Sequence, residues 1–114
     1  MNFNCACNET NELIIEGDVG ADPIWCSKCG CNLEIEALSV SKMLEMELSS
    51  WAMTYGEWID WDKDVLLPNG IVLEKEFNAR GLILTEKVKQ EIGDQYKIKF
   101  SPSSSTRLYA KKEL

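Results

Sequence analysis

The chain has 114 residues, 45% of them hydrophobic, and a formal net charge of −7. That is enough for one domain with a core of its own, and it excludes wholesale disorder. The acidic balance works against gripping nucleic acid, which needs a basic footprint, and it suits a basic or neutral protein partner.

Residues 1–37 hold all five cysteines. The first ten residues carry neither the basic region nor the apolar run of a secretory leader, and no stretch approaches the ~20 apolar residues of a membrane helix. The expected location is therefore cytoplasmic, with no membrane contact. In a reducing compartment, clustered cysteines are metal ligands more often than disulfides, and an odd count argues the same way.

Three short strand-like runs follow one another here: Leu13-Ile14-Ile15, Ile24-Trp25, and Leu33-Glu34-Ile35-Glu36. Turn signals at Gly17-Asp18, at Gly20 with Asp22-Pro23, and at Gly30 separate them. The pattern predicts a small antiparallel β-lobe. Ser39 or Ser41 can cap a helix running to about Tyr55, with Leu44, Leu48, Trp51, Ala52, Tyr55 and Ile59 along one apolar stripe. Pro68-Asn69-Gly70 is a turn. A second helix is expected from about Glu74 to Ile92, with Phe77, Gly81, Leu84, Val88 and Ile92 on one face. Gly81 costs ~1 kcal/mol in mid-helix, which makes sense where another element packs closely. Tyr96, Ile98 and Phe100 alternate with Lys97 and Lys99, as in a strand with one buried face. Ser101 to Thr106 forms a Ser-rich loop, and a short tail follows to Leu114. The expected fold class is α+β: a β-lobe over 1–37, then a helix-helix-strand body over 38–114, packed together as one unit.

The cysteines carry the clearest chemistry. Trp25-Cys26-Ser27-Lys28-Cys29-Gly30 places two thiols two residues apart, followed by a glycine that can take positive φ. Backbone N–H groups can then point at the sulfurs. Cys5-Ala6-Cys7 offers a second pair, and eighteen residues separate Cys7 from Cys26. Four thiolates, Cys5, Cys7, Cys26 and Cys29, can surround one metal ion in a closed structural site. Cys31 follows the turn glycine, and the alternative in which it replaces Cys5 or Cys7 stays open. The metal is Zn²⁺, with iron as the alternative for the same donor set. In these residues the chain resembles the knuckle of zinc ribbons and rubredoxins, and as a whole it resembles small bacterial zinc-ribbon-like proteins. The resemblance implies a ribbon fold and a structural metal, but no function.

Asp60, Asp62 and Asp64 alternate as in a calcium loop. Such a loop would need glycine where Val65 stands and glutamate where Ile71 stands, so a solvated loop is the better reading. The Ser101–Arg107 stretch lacks the Gly-rich turn and lysine of a phosphate loop. Histidine is absent, which removes the commonest general base and every Cys–His or Ser–His arrangement. A non-enzymatic role follows. Trp51, Tyr55, Trp58 and Trp61 make a dense aromatic patch among acids: either core packing at a seam, or a surface for a protein partner. The expected function is a protein–protein interaction or regulatory module. A nucleic-acid-associated ribbon serving transcription or translation is the competing class. An enzyme using a cleft of carboxylates is the third.

Overall fold

The computed structural model describes residues 10–107. Four strands, β1 (Glu12–Ile15), β2 (Ile24–Cys26), β3 (Asn32–Leu33) and β6 (Lys97–Phe100), form one sheet in the order β3-β2-β1-β6. β1–β2 and β2–β3 are antiparallel hairpin neighbours, while β6 returns parallel to β1. Between β3 and β6 run the helices α1 (Lys42–Met53) and α2 (Gly70–Ile92), with a small hairpin of β4 (Ile59–Asp60) and β5 (Val65–Leu66) between them. The class is α+β, with two long helices and a closing strand, as the periodicities predict.

Alternation sorts the sheet's two faces. Leu13, Ile15, Ile24, Cys26, Leu33 and Ile98 turn one way and are buried. Against them lie Leu44, Leu48 and Trp51 of α1, and Phe77, Leu84, Val88 and Ile92 of α2. One core therefore joins strands and helices, and apolar area buried in it stabilises the fold by about 25 cal/mol per Å². The opposite face carries Ile14 opposite Trp25 on β2 and Lys99 on β6.

α1 begins at Ser41, whose Oγ accepts from the Leu44 N–H at 3.2 Å. Glu91 of α2 reaches the same end: its carboxylate accepts from Ser41 N at 2.6 Å and from Ser41 Oγ at 3.0 Å. A carboxylate at a helix N-terminus is favoured by the helix dipole, so this contact also fixes how the two helices meet. Further along, Glu47 of α1 accepts from Arg80 and Lys87 of α2, each at 2.9 Å.

Gly81 sits where the helices and β6 come closest. A β-carbon there would lie 2.5 Å from Phe100 Cε1 and 2.6 Å from Trp51 Cζ2, so only glycine fits without movement. α2 begins four residues earlier than the periodicity suggests. Gly70 is its first residue and packs under the Trp58 carbonyl, while Ile71 and Val72, off the buried stripe, are exposed.

The Ser-rich segment closes the structure. Glu74 is buried on α2 and gathers four donors: Ser103 Oγ at 2.8 Å, Ser105 Oγ at 3.3 Å, Thr106 N at 3.2 Å and Thr106 Oγ1 at 2.7 Å. Asn78, one turn on, exchanges two hydrogen bonds with the Ser103 backbone. These serines and Thr106 are spent on a carboxylate, so they latch the C-terminal segment to α2. The aspartates at 60–64 turn the β4–β5 hairpin: Asp60 Oδ1 accepts from the Asp62 and Lys63 N–H groups at 3.1 and 3.2 Å.

Candidate interaction groove

The aromatic patch splits when placed in three dimensions. Trp51 stacks on Phe77 with centroids 4.5 Å apart, and Trp58 meets Phe77 edge-on at 5.1 Å. Trp51 donates its indole N–H to the Phe77 carbonyl, and Trp58 donates to Ser105 Oγ, both at 2.9 Å. These two tryptophans are 4% and 1% exposed. They belong to the core, yet each lends an edge to the floor of a groove between α1 and α2. Tyr55, just past the end of α1, meets Trp58 and Phe77 edge-on at 5.3 and 5.8 Å and also lines a smaller hollow with Pro23 and Met53. Trp61 is 57% exposed on the hairpin, lies over Gly56 and does not line the groove.

The groove has a volume of about 850 Å³. Trp51, Trp58, Leu73 and Phe77 line its floor, and Met43 and Met46 stand on its α1 wall. These methionines are 73% and 62% exposed, although most large apolar side chains are drawn into the core. Methionine is flexible and polarisable, which suits a surface that adapts to a partner. Glu57 and Glu76 stand at the rim with Ser50 and Thr54; Glu47 and Arg80 meet on the wall. The hydrogen bond from Lys87, with the charges of Lys87 and Arg80 behind it, outweighs partial burial and holds the Glu47 carboxyl below its ordinary range.

The sequence pointed to the aromatic floor but missed the wall and rim. The available signal was the placing of Met43 and Met46 on α1, off the buried stripe of Leu44, Leu48 and Trp51. Apolar residues on the polar side of an amphipathic helix mark a second use of that helix.

The three described cysteines lie at and after the end of β2, before the 3-10 turn (Ile35–Ala37). Cys5 and Cys7 are outside the described residues. Cys26 ends β2 and is buried; Cys29 and Cys31 are half-buried. The Gly30 N–H donates to the Cys26 carbonyl, and the Cys26 N–H to that of Cys31, both at 2.9 Å, closing a tight turn between β2 and β3. Gly30 takes φ +77° with open space around it, so glycine is needed for backbone conformation and not for room. Burial pushes the Cys26 thiol up. The Thr10 hydroxyl and the backbone N–H groups of Cys29 and Lys28 more than offset this and leave it below its ordinary value.

The described residues thus form a two-layer α+β fold with an apolar groove between its two long helices and acids at the groove's rim. The chain belongs to the Serratia CdiI immunity protein-like family, whose model matches residues 11–103. No curated protein matches the sequence. The family assignment overturns the zinc-ribbon resemblance. The strands that suggested a separate ribbon are three-quarters of a sheet that β6 completes, and their buried face is shared with both helices. Among the described residues, no group of three or more cysteine, histidine or acidic side chains could hold a metal ion. No helix among them is long and apolar enough to cross a membrane.

Proposed function

We propose that this chain is an immunity protein that neutralises a toxin protein by binding it through the groove between α1 and α2. The observation that carries the reading is the pairing of exposed Met43 and Met46 with an aromatic floor, in a family of immunity protein-like chains. Such a groove accepts a large apolar side chain from a partner and excludes water around it, which is how a few residues come to dominate an interface. The acids at the rim, in a chain of net charge −7, speed encounter with a basic partner surface and disfavour acidic ones. No chemistry is required of the chain. Neutralisation follows from occupying the toxin's surface, and affinity sets the protection.

The test is co-expression with an inducible toxin neutralised by this family. The unaltered chain is expected to restore growth and to bind the purified toxin in titration calorimetry. The Met43→Glu, Met46→Glu double variant keeps its fold by circular dichroism, because both side chains are exposed. Its binding is expected to weaken about tenfold or more. Full protection by that variant would remove the groove from the reading. Absence of both rescue and binding by the unaltered chain would remove the reading itself.

A further inference from the structure

The outward side of α2 is not uniformly polar, as the solvent side of an amphipathic helix ordinarily is. Ile71, Val72, Leu82 and Ile83 lie off the buried stripe of Phe77, Gly81, Leu84 and Val88, and each is half exposed or more. Ala79 lies among them and is exposed. None of these residues lines the groove, so this face is available whether or not the groove holds a toxin.

The face has a regular spacing. Val72, Lys75, Ala79, Leu82, Glu86 and Lys89 follow one another at alternating steps of three and four residues, and all are exposed. That is the spacing of a helix that packs along a second helix. The strip runs about 26 Å along α2 and is about 10 Å wide. Ala79 near its centre leaves room for a large side chain from the facing helix, and Leu82 is such a side chain.

The charges on the strip select the partner. Among the described residues Lys75 has no ion-pair partner, and Glu86 pairs only with its neighbour Lys89, at 3.3 Å. When two copies of α2 lie antiparallel with a two-fold axis between Ala79 and Leu82, Ala79 meets Leu82 of the second copy and Lys75 meets its Glu86. Each contact forms twice, because the interface is symmetric. A parallel pairing sets Lys75 against Lys75 and Glu86 against Glu86, which is unfavourable. An antiparallel pairing centred on Ala79 itself sets Lys75 against Ile83 and Glu86 against Val72, and loses both ion pairs. The strip also lacks the acid excess of the chain: two lysines stand beside one glutamate, in a protein of net charge −7, so repulsion between copies is relieved here.

We infer that the protein self-associates through this face of α2 as a symmetric antiparallel dimer, with Leu82 packed on Ala79 at the centre and a Lys75–Glu86 ion pair on either side. A strip of this size falls below the roughly 1,200 Å² of a stable interface. The dimer is therefore weak, with a dissociation constant on the order of 10–100 μM.

The test is sedimentation equilibrium of the full chain, kept in reductant, from about 2 to about 500 μM. The unaltered chain is expected to pass from monomer to dimer across this range. Leu82→Glu, at an exposed position, keeps its circular dichroism and is expected to raise the dissociation constant about tenfold or more. Lys75→Glu alone and Glu86→Lys alone each set like charges together twice, and each is expected to raise it about fivefold or more. Mixed in equal amounts, these two variants regain both ion pairs, and the mixture is expected to dimerise within about threefold of the parent. Mixing would not rescue a defect in the folding of the single chain. A monomer throughout the range overturns the inference and leaves the face to a different occupant. So does a dimer that Leu82→Glu leaves intact, and so does a mixture that associates no better than its two components.

Discussion

Replacing Gly81 with alanine sets two opposing effects against each other at one carbon atom. Alanine is the better helix former by ~1 kcal/mol, so an exposed mid-helix glycine would gain from the change. At Gly81 the new methyl would stand 2.5 and 2.7 Å from two ring atoms of Phe100 and 2.6 Å from Trp51 Cζ2. Neither ring gives way cheaply. Trp51 is stacked on Phe77 and hydrogen-bonded to its carbonyl, so swinging aside forfeits about 1 kcal/mol of hydrogen bond and about 1 kcal/mol of ring contact. Phe100 is held in register opposite Ile15. Forcing a methyl into a packed core costs about 1–3 kcal/mol. The overlap outweighs the propensity gain, and a net destabilisation of about 1–2 kcal/mol is expected. For a domain of this size that lowers Tm by about 4–8 °C per kcal/mol. Urea unfolding at 25 °C followed by tryptophan fluorescence reads both the shift and any disturbance of Trp51. Leu82→Ala, at the exposed neighbouring position, serves as the control and is expected to stay within about 0.5 kcal/mol of the parent. A Gly81→Ala chain as stable as the parent, or more so, would refute the close approach of Trp51 and Phe100 to α2.

The Glu74 latch should be among the most sensitive polar positions. Glu74→Ala leaves Ser103, Ser105 and Thr106 donors without their acceptor and is expected to cost about 2–4 kcal/mol in chemical denaturation. Glu74→Gln keeps an acceptor oxygen and should cost less than half of that. At Glu47 the folded carboxyl sits below its ordinary 4.5. Its contribution is therefore complete above the ordinary carboxylate range and disappears as pH falls through the lowered folded value. The Tm difference between the parent and Glu47→Gln should be constant near neutrality and close toward zero in acid; a difference that grows in acid would reverse the assignment. Trp61→Ala, at an exposed residue that does not line the groove, is expected to leave toxin binding within about twofold of the parent, measured beside the methionine variants by calorimetry.

Where side-chain periodicity is strong, the sequence could be read directly. The stripe from Phe77 to Ile92 and the alternation of Lys97 to Phe100 describe the buried faces found in α2 and β6, and Gly81 announced a close approach. Where an element is short or its partners are distant, it could not. β4 and β5 are two residues each and depend on an Asp60 turn, so no period exists to detect. Glu74 falls in line with Phe77 and Gly81 on the buried face of α2, which reads as a misplaced charge until serines some thirty residues away supply its donors. The aromatics near Trp51 were visible as a cluster, but not their depth: Trp51 and Trp58 became floor, and the exposed contact fell to methionines. The ribbon resemblance rested on a six-residue turn. A local turn geometry can recur on many folds, and here the pairing of β1 with β6 settles the topology.

That pairing also has a temporal side. Glu12 is set opposite Lys97 and Ile15 opposite Phe100, so the central strand β1 waits for its second neighbour until nearly the whole described chain has been synthesised. At about 5–20 residues per second, the interval is on the order of 4–17 s during translation. Throughout it β1 presents an open strand edge, even after α1 and α2, which precede β6 in the chain, have been made. Contacts so distant in sequence make folding slow relative to a helical bundle of the same size. On the proposed immunity reading, protection rests on a standing pool of finished molecules, because a chain begun on demand would still lack β6.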